Sequence, residues 1–229
     1  MSVEYFDEQR RQLIAAIDAH TEQVATRIGK TALDRQVLKA MTKVPRHEFV
    51  PAEVQSFAYL DTPLPIGFGK TISQPFMVAV MTDLLELKPD DTVLEIGTGL
   101  GYQSAVLAEL AGRVYSVEII DELAQGAARR LKRQGYINVD VRVANGYLGW
   151  PEHAPFDKVI VTAAPDLIPT PLINQLKAGG RMVIPVGLPS AQQLVLAEKD
   201  ADGRVTTREI MPVMISLLEG SEQPSFRAS

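Results

Sequence analysis

Thr92-Val93-Leu94-Glu95-Ile96-Gly97-Thr98-Gly99-Leu100-Gly101 is the stretch on which the reading of the fold turns. Its first five residues form a short, mostly apolar run of the kind found in buried strands, and three alternate glycines then lead into a helix beginning near Tyr102. Without side chains the backbone at such a turn is open to a ligand, and the first N–H groups of the helix point towards it. A second strand, Val114 to Val117, ends at Glu118, about 20 residues past the first glycine, where a parallel α/β sheet brings a carboxylate to the hydroxyls of a ribose. Loop and carboxylate together point to an adenosine-containing cofactor. A dinucleotide fingerprint counted from Gly97 would need glycine at its sixth position, and that position is Tyr102, which weakens a nicotinamide reading.

Outward from this core, helices alternate with short β-branched runs. The strands predicted are Thr92 to Ile96, Val114 to Val117, Val139 to Val143, Lys158 to Thr162 and Met182 to Val186, with apolar runs that suggest burial on both faces. Helical stretches fall at Phe76 to Leu87, with Pro75 suited to a first helical position, and at Tyr102 to Leu110, Asp121 to Gln134 and Pro171 to Leu176. This alternation predicts a mostly parallel twisted sheet with helices on both sides. Gln193 to Lys199 and Arg204 to Ile210 flank Asp200-Ala201-Asp202-Gly203, the signature of an antiparallel C-terminal hairpin.

On the N-terminal side, apolar residues recur at helical spacing between Glu8 and Met41, interrupted by Gly29, and predict two helices. Between Val44 and Gln74 the prolines and glycines exclude long regular elements, and a loop region of that length tends to carry function. The division expected is 1–74 for N-terminal helices and substrate-side loops, 75–220 for a cofactor-binding core of the same domain, and 221–229 for a flexible tail.

The chain of 229 residues is 46% hydrophobic and 22% charged, an ordinary globular composition, with no apolar run long enough to span a bilayer. A cytoplasmic protein without a membrane partner is expected. A net charge of −5 does not match nucleic acid, and the cluster Arg129, Arg130, Lys132 and Arg133 reads as the wet side of an amphipathic helix. Absence of cysteine removes disulfides, thiolate zinc sites and thiol nucleophiles, and no metal site is expected. His20, His47 and His153 read as surface or structural residues.

The form E-x-G-x-G-x-G resembles the first motif of Rossmann-like methyltransferases, whose cofactor is S-adenosylmethionine. By that resemblance Glu95 lies near the methionine end, with Gly97, Thr98, Gly99 and Gly101 around it, and Glu118 holds the ribose. A carboxylate acceptor is already ionised at neutral pH and needs no general base. Ala163-Ala164-Pro165 after the fourth core strand differs from the D-P-P-Y segment of amino-methylating nucleic-acid enzymes, so oxygen methylation of an acid fits what remains.

Further segments extend the likeness over roughly Asp34 to Val213. They are Val44-Pro45-Arg46-His47-Glu48-Phe49-Val50-Pro51, Ala58-Tyr59-Leu60-Asp61-Thr62-Pro63-Leu64-Pro65-Ile66-Gly67, Thr71-Ile72-Ser73-Gln74-Pro75, Gly149-Trp150-Pro151 and Ile160-Val161-Thr162-Ala163-Ala164-Pro165. With these the chain closely resembles the protein-L-isoaspartate O-methyltransferases. The resemblance implies methylation of the free α-carboxylate of isoaspartyl residues in damaged proteins and peptides, an ester that closes to succinimide and so begins a repair. It implies Ser73 as the active-site residue, hydrogen-bonded to the acceptor carboxylate and flanked by Thr71 and Ile72; a bland alternative makes Ser73 the cap of the following helix. A monomer is expected.

Two places depart from the family's pattern. Ala144-Asn145-Gly146 stands where Gly-Asp-Gly is common; Asn145 keeps an acceptor oxygen for an adenine amino group beside Gly146, and Asn-Gly is also a turn signal. Val213-Met214-Ile215-Ser216-Leu217-Leu218 replaces an expected arginine, aromatic and proline, and the simpler reading is that Met214, Ile215 and Leu217 repack a buried edge. At this level two other readings stay open: a carboxyl methyltransferase of the same fold acting on another peptide or small acid, and a cofactor-binding protein without turnover.

Overall fold

The computed structural model describes residues 3–222. Helix α1 (Val3–Gln23) is followed by the single turn α2 (Ala25–Ile28), which ends at Gly29 with φ 78°, and by α3 (Arg35–Lys43). Gly29 takes a left-handed conformation that costs other residues strain, so the helical pattern breaks there. The Asp34 carboxylate accepts from the Gln36 N–H and caps α3, which buries Val37, Ala40 and Met41. The two helices expected are thus α1 and α3, with α2 an added turn between them.

The segment from 44 to 74 has no long element, as its prolines dictate, but it is more ordered than a loop. It holds two 3-10 turns, Arg46–Glu48 and Ala52–Phe57, and a small antiparallel hairpin of β1 (Leu64–Gly67) and β2 (Lys70–Ile72). Leu64 and Ile66 point inward while Pro65 and Gly67 are exposed, an alternation too short and too proline-broken to announce a strand. The turn is made by Phe68 and Gly69, both at positive φ.

Helix α4 (Pro75–Leu85) starts with proline at its first turn and is buried along its whole length, which accounts for its apolar composition on every face. Asp83, near its end, accepts from the Asp34 N–H (2.6 Å) and pairs with Lys30 (2.5 Å), fastening the N-terminal helices to the core.

The remaining elements are β3 (Thr92–Ile96), α5 (Tyr102–Ala108), β4 (Arg113–Glu118), α6 (Asp121–Arg133), β5 (Val139–Val143), β6 (Phe156–Val161), α7 (Thr170–Gln175), β7 (Leu176–Val186), β8 (Gln192–Lys199) and β9 (Val205–Val213). They build a seven-stranded sheet in the order β5-β4-β3-β6-β7-β8-β9, parallel from β5 to β7 and antiparallel through β8 and β9. This is the Rossmann-like architecture with an antiparallel C-terminal hairpin and an N-terminal helical addition. One expectation fails: β5 is not buried on both faces, because it lies at the sheet edge and most of its residues are half-exposed. The basic cluster is mainly the wet side of α6, whose inner face is Leu123, Ala124, Ala127 and Leu131; Arg130 alone turns back, donating to the Leu100 carbonyl. Ser221 and Glu222, at the start of the stretch expected to fray, accept from the Asn145 side chain and the Thr170 N–H; 223–229 lie outside the described residues.

Glu95 departs from the place that resemblance assigned to it. Strand β3 carries it to full burial under the glycine loop, where one carboxylate oxygen accepts from the Ser104 and Ser116 hydroxyls, and it contributes nothing to the lining of the cleft described below. Thr98 completes the network, its hydroxyl 2.5 Å from that of Ser116. Because Ser116 donates to Glu95, Thr98 donates to Ser116, and the loop hangs on a directed chain ending at the carboxylate.

Burial, against the help of the two serines, raises the Glu95 pKa from 4.5 to about 7. Between these values the folded chain holds a proton that the unfolded chain has lost, so stability falls as pH rises from about 4.5 to about 7 and levels off above. The contribution is about 3 kcal/mol over the window. Urea unfolding of the wild type and of Glu95→Gln at pH 5 and pH 8 is expected to show this slope in the wild type and its loss in the variant. Equal slopes would contradict the assignment.

Candidate active site

Strand order reverses beside β3: the chain runs from β3 outward to β5 and then returns to β6 on the other side. The carboxyl ends of the strands therefore diverge and leave a crevice, the usual ligand site of such sheets. A cleft of about 920 Å³, partly open to solvent, lies there. Gly97 and Gly99 after β3, Glu118 at the end of β4, Gly146 after β5 and Thr162 after β6 all line it.

The glycines have separate reasons to be there. At Gly97, φ is 95° and a Cβ would run into the Thr162 hydroxyl, which donates to the Gly97 carbonyl. Gly99, at φ 53°, presents its backbone to the cleft and donates its N–H to Glu118 (2.8 Å). Gly101 does not line the cleft; a Cβ there would meet Leu131 at 3.2 Å, so its role is the close approach of α5 to α6. Thr98 also stays out of the main cleft and borders only a smaller recess behind it, its hydroxyl being committed to Ser116.

Glu118 is built to receive hydroxyls. Its two carboxylate oxygens accept one N–H each, from Gly99 and from Ile120 at 3.0 Å, which fixes the group while leaving a lone pair on each oxygen for a diol. The bare glycine backbone beside a fixed carboxylate fits an adenosine-bearing cofactor with its ribose on Glu118.

Asn145 is placed differently from its expected adenine contact. It does not line the cleft; its side-chain oxygen accepts from the Tyr147 N–H and its amide nitrogen donates to the Ser221 carbonyl at 2.7 Å. An aspartate has no such donor, so the departure from the family's pattern has a structural use here. Gly146 follows it in the cleft wall, with no room for a Cβ against Ile96.

A further wall comes from the hairpin and the segment after it. Thr71 and Ser73 line both the cleft and the recess behind it, and Ile72 lines the recess. Capping does not account for Ser73: Gln74 occupies the cap position of α4, and the Ser73 hydroxyl takes no hydrogen bond from or to the described residues. The Ser73 carbonyl is held instead, accepting from Arg46.

A third wall was not legible beforehand. Met214 to Glu219 run as a strap along the cleft, pinned by paired hydrogen bonds between Gln192 and Ile215, by Ala164 bonded to Ser216 and Leu218, and by Lys70 against Glu219 at 2.5 Å. The expectation of a repacked buried edge is therefore corrected for Met214 and Leu217, whereas Ile215 does pack, half-buried, against the core. Met214 is 91% exposed and Leu217 44%, and both line the cleft, while the strap is anchored by its backbone, by the Glu219 carboxylate and by Ile215 and Leu218 packed on the core.

None of the three histidines lines the cleft. His20 stacks on Phe76 and meets Asp61 at 3.3 Å, His47 stacks on Phe6 and meets the Tyr59 hydroxyl, and His153 stacks on Tyr115. The His20–Asp61 pair spans 41 residues of sequence, which no local pattern displays.

Comparison with known proteins agrees with this geometry. The family model described as Protein-L-isoaspartate(D-aspartate) O-methyltransferase matches residues 19–223. Protein-L-isoaspartate O-methyltransferase 1 of Polaromonas sp. strain JS666 is 66% identical over 217 residues, covering 95% of this chain and 92% of that one. Protein-L-isoaspartate O-methyltransferase 2 of Syntrophobacter fumaroxidans is 58% identical, covering 92% and 86%. A solved protein-L-isoaspartate O-methyltransferase superposes with TM-score 0.80 at 29% identity, over 92% of this chain and 66% of that longer one. A Plasmodium falciparum structure in complex with S-adenosyl-L-homocysteine shares the fold with TM-score 0.74 at 24% identity, over 88% and 97%. A glycine-lined crevice that also holds a fixed acid and a serine-bearing wall, in a chain matched along most of its length, places this protein in the protein-L-isoaspartate(D-aspartate) O-methyltransferase family.

Proposed function

We propose that the cleft transfers a methyl group from S-adenosylmethionine to the free α-carboxylate of L-isoaspartyl residues, with Ser73 orienting the acceptor. The observation that carries the assignment is the free hydroxyl of Ser73 in the same cleft as Gly97, Gly99 and Glu118. When bound, S-adenosylmethionine supplies a sulfonium methyl open to in-line displacement. Glu118 takes the ribose, the backbone of Gly97, Gly99 and Gly146 borders the cofactor, and Thr71, Ile72 and Ser73 hold the peptide. Glu95, Thr98 and Gly101 act beneath this surface, by supporting the loop, and Asn145 acts by tying Ser221, just past the strap.

The chemistry asked of these side chains is positioning. An α-carboxylate is ionised at neutral pH, so no base is required, in keeping with a lining that contains no histidine. A donated hydrogen bond from Ser73 fixes one carboxylate oxygen, and the apolar Met214 and Leu217 border the path of the peptide backbone. The reading includes residues 1–74 and 75–220 working as one domain, a monomer in the cytoplasm, and neither nucleic acid nor membrane as partner. No described helix is long and apolar enough to cross a membrane.

Transfer of labelled methyl to an isoaspartyl peptide, beside its aspartyl twin, tests the acceptor. Base-labile label is expected on the isoaspartyl peptide alone; label on both or on neither would overturn the assignment. Ser73→Ala should lower kcat/KM by about 10- to 100-fold, the worth of one hydrogen bond to a charged group, with S-adenosylhomocysteine binding unchanged. Met214→Asp, on an exposed side chain, should raise the peptide KM several-fold through repulsion of the acceptor, again without effect on S-adenosylhomocysteine; an unchanged KM would remove the strap from the peptide path.

A further inference from the structure

Arg46 is wholly buried, and no carboxylate lies within ion-pair distance of it among the described residues. Its Nε donates to the Ala58 carbonyl at 2.9 Å and one terminal nitrogen donates to the Ser73 carbonyl at 2.8 Å. The guanidinium lies 4.7 Å from the centre of the Tyr102 ring, and its other terminal nitrogen has no partner. Burial lowers its pKa to about 10, so it remains charged at neutral pH. Asp61 is near enough to be felt, but its carboxylate is spent on the Phe76 N–H, the Gln74 side chain and His20.

Two neutral carbonyls and an aromatic face are a poor return for burying a full charge, since tying loops together needs no cation. The charge lies one peptide unit behind the side chain of Ser73, and Tyr102, on which it rests, lines the recess that Ser73 shares with Gly97 and Gly99. In a water-poor setting its field reaches across that distance. The counter-charge missing from the folded chain is the one an anionic acceptor brings.

We propose that Arg46 is a positioning residue that sets the Ser73 peptide through its carbonyl and, through its buried charge, selects an ionised acceptor over a neutral one. This rests on the carboxylate reading given above. The two effects are separable: the forked contact fixes geometry, and the charge fixes preference. Lysine in its place keeps the second and loses the first.

The test compares two ligands bound in the presence of S-adenosylhomocysteine: an isoaspartyl peptide, and the same peptide with its isoaspartyl α-carboxylate converted to the carboxamide. The wild type is expected to prefer the acid. Arg46→Gln and Arg46→Met, the latter keeping the packing on Tyr102, should each reduce that preference by about tenfold. Arg46→Lys should keep the preference while lowering kcat. The ratio of the two dissociation constants is read, so that a general loosening of the site, which weakens both ligands, cancels. An acid preference unchanged in both uncharged variants would overturn the inference and leave the function standing. A wild type that binds acid and amide alike would overturn the acceptor assignment and the inference with it.

Discussion

Because β3 pairs in parallel with both β4 and β6, the chain has to leave its carboxyl end towards one neighbour and come back to the other. The backbone at that point cannot be covered by the connecting helices, and a bare turn at the centre of the sheet is the result. Everything that makes the cleft answers to this. Thr162 and Glu118, from the strands on either side, take hold of Gly97 and Gly99, and the glycines' left-handed angles let the turn pass between them. Below, Glu95 gathers Ser116 of the sheet and Ser104 of α5 into a buried polar knot. The site is thus fixed from beneath and from both sides before any ligand arrives.

The sheet core was legible in the sequence because its signals are local. β3 and β5 match their predicted limits, and Pro75 marks the start of α4, since a run of apolar residues or a proline acts on its own neighbourhood. Gly97, Gly99 and Glu118, close along the chain, come together on the cleft, whereas Glu95, Thr98, Gly101 and Asn145 do not line it. What the sequence hides is pairing at a distance. The β1–β2 hairpin is masked by prolines, and the strap is held by Gln192, Ala164 and Lys70, whose partners lie 23 to 149 residues away or in backbone atoms. Resemblance named Glu95 as a site residue, but burial direction along a strand decided that it faces down.

Two buried charges of opposite sign frame the site at different depths. Glu95 is answered by hydroxyls, and burial holds it close to neutrality. Arg46 is answered only by carbonyls and a ring, and keeps its charge. Placed behind the loop and behind Ser73 respectively, each keeps one buried atom without a partner, and they differ in charge: the acid is held near neutrality and the cation stays charged.

The strap lies after the last strand of the sheet, yet it forms a wall of the cleft and meets the hairpin that precedes α4. During synthesis the chain reaches Glu219 long after Lys70, so a polypeptide grown through β9 has every strand of its sheet and still lacks one side of its pocket. The order of synthesis therefore supplies this wall of the pocket last. A nascent chain still tethered at the strap holds no finished pocket with which to act on its neighbours.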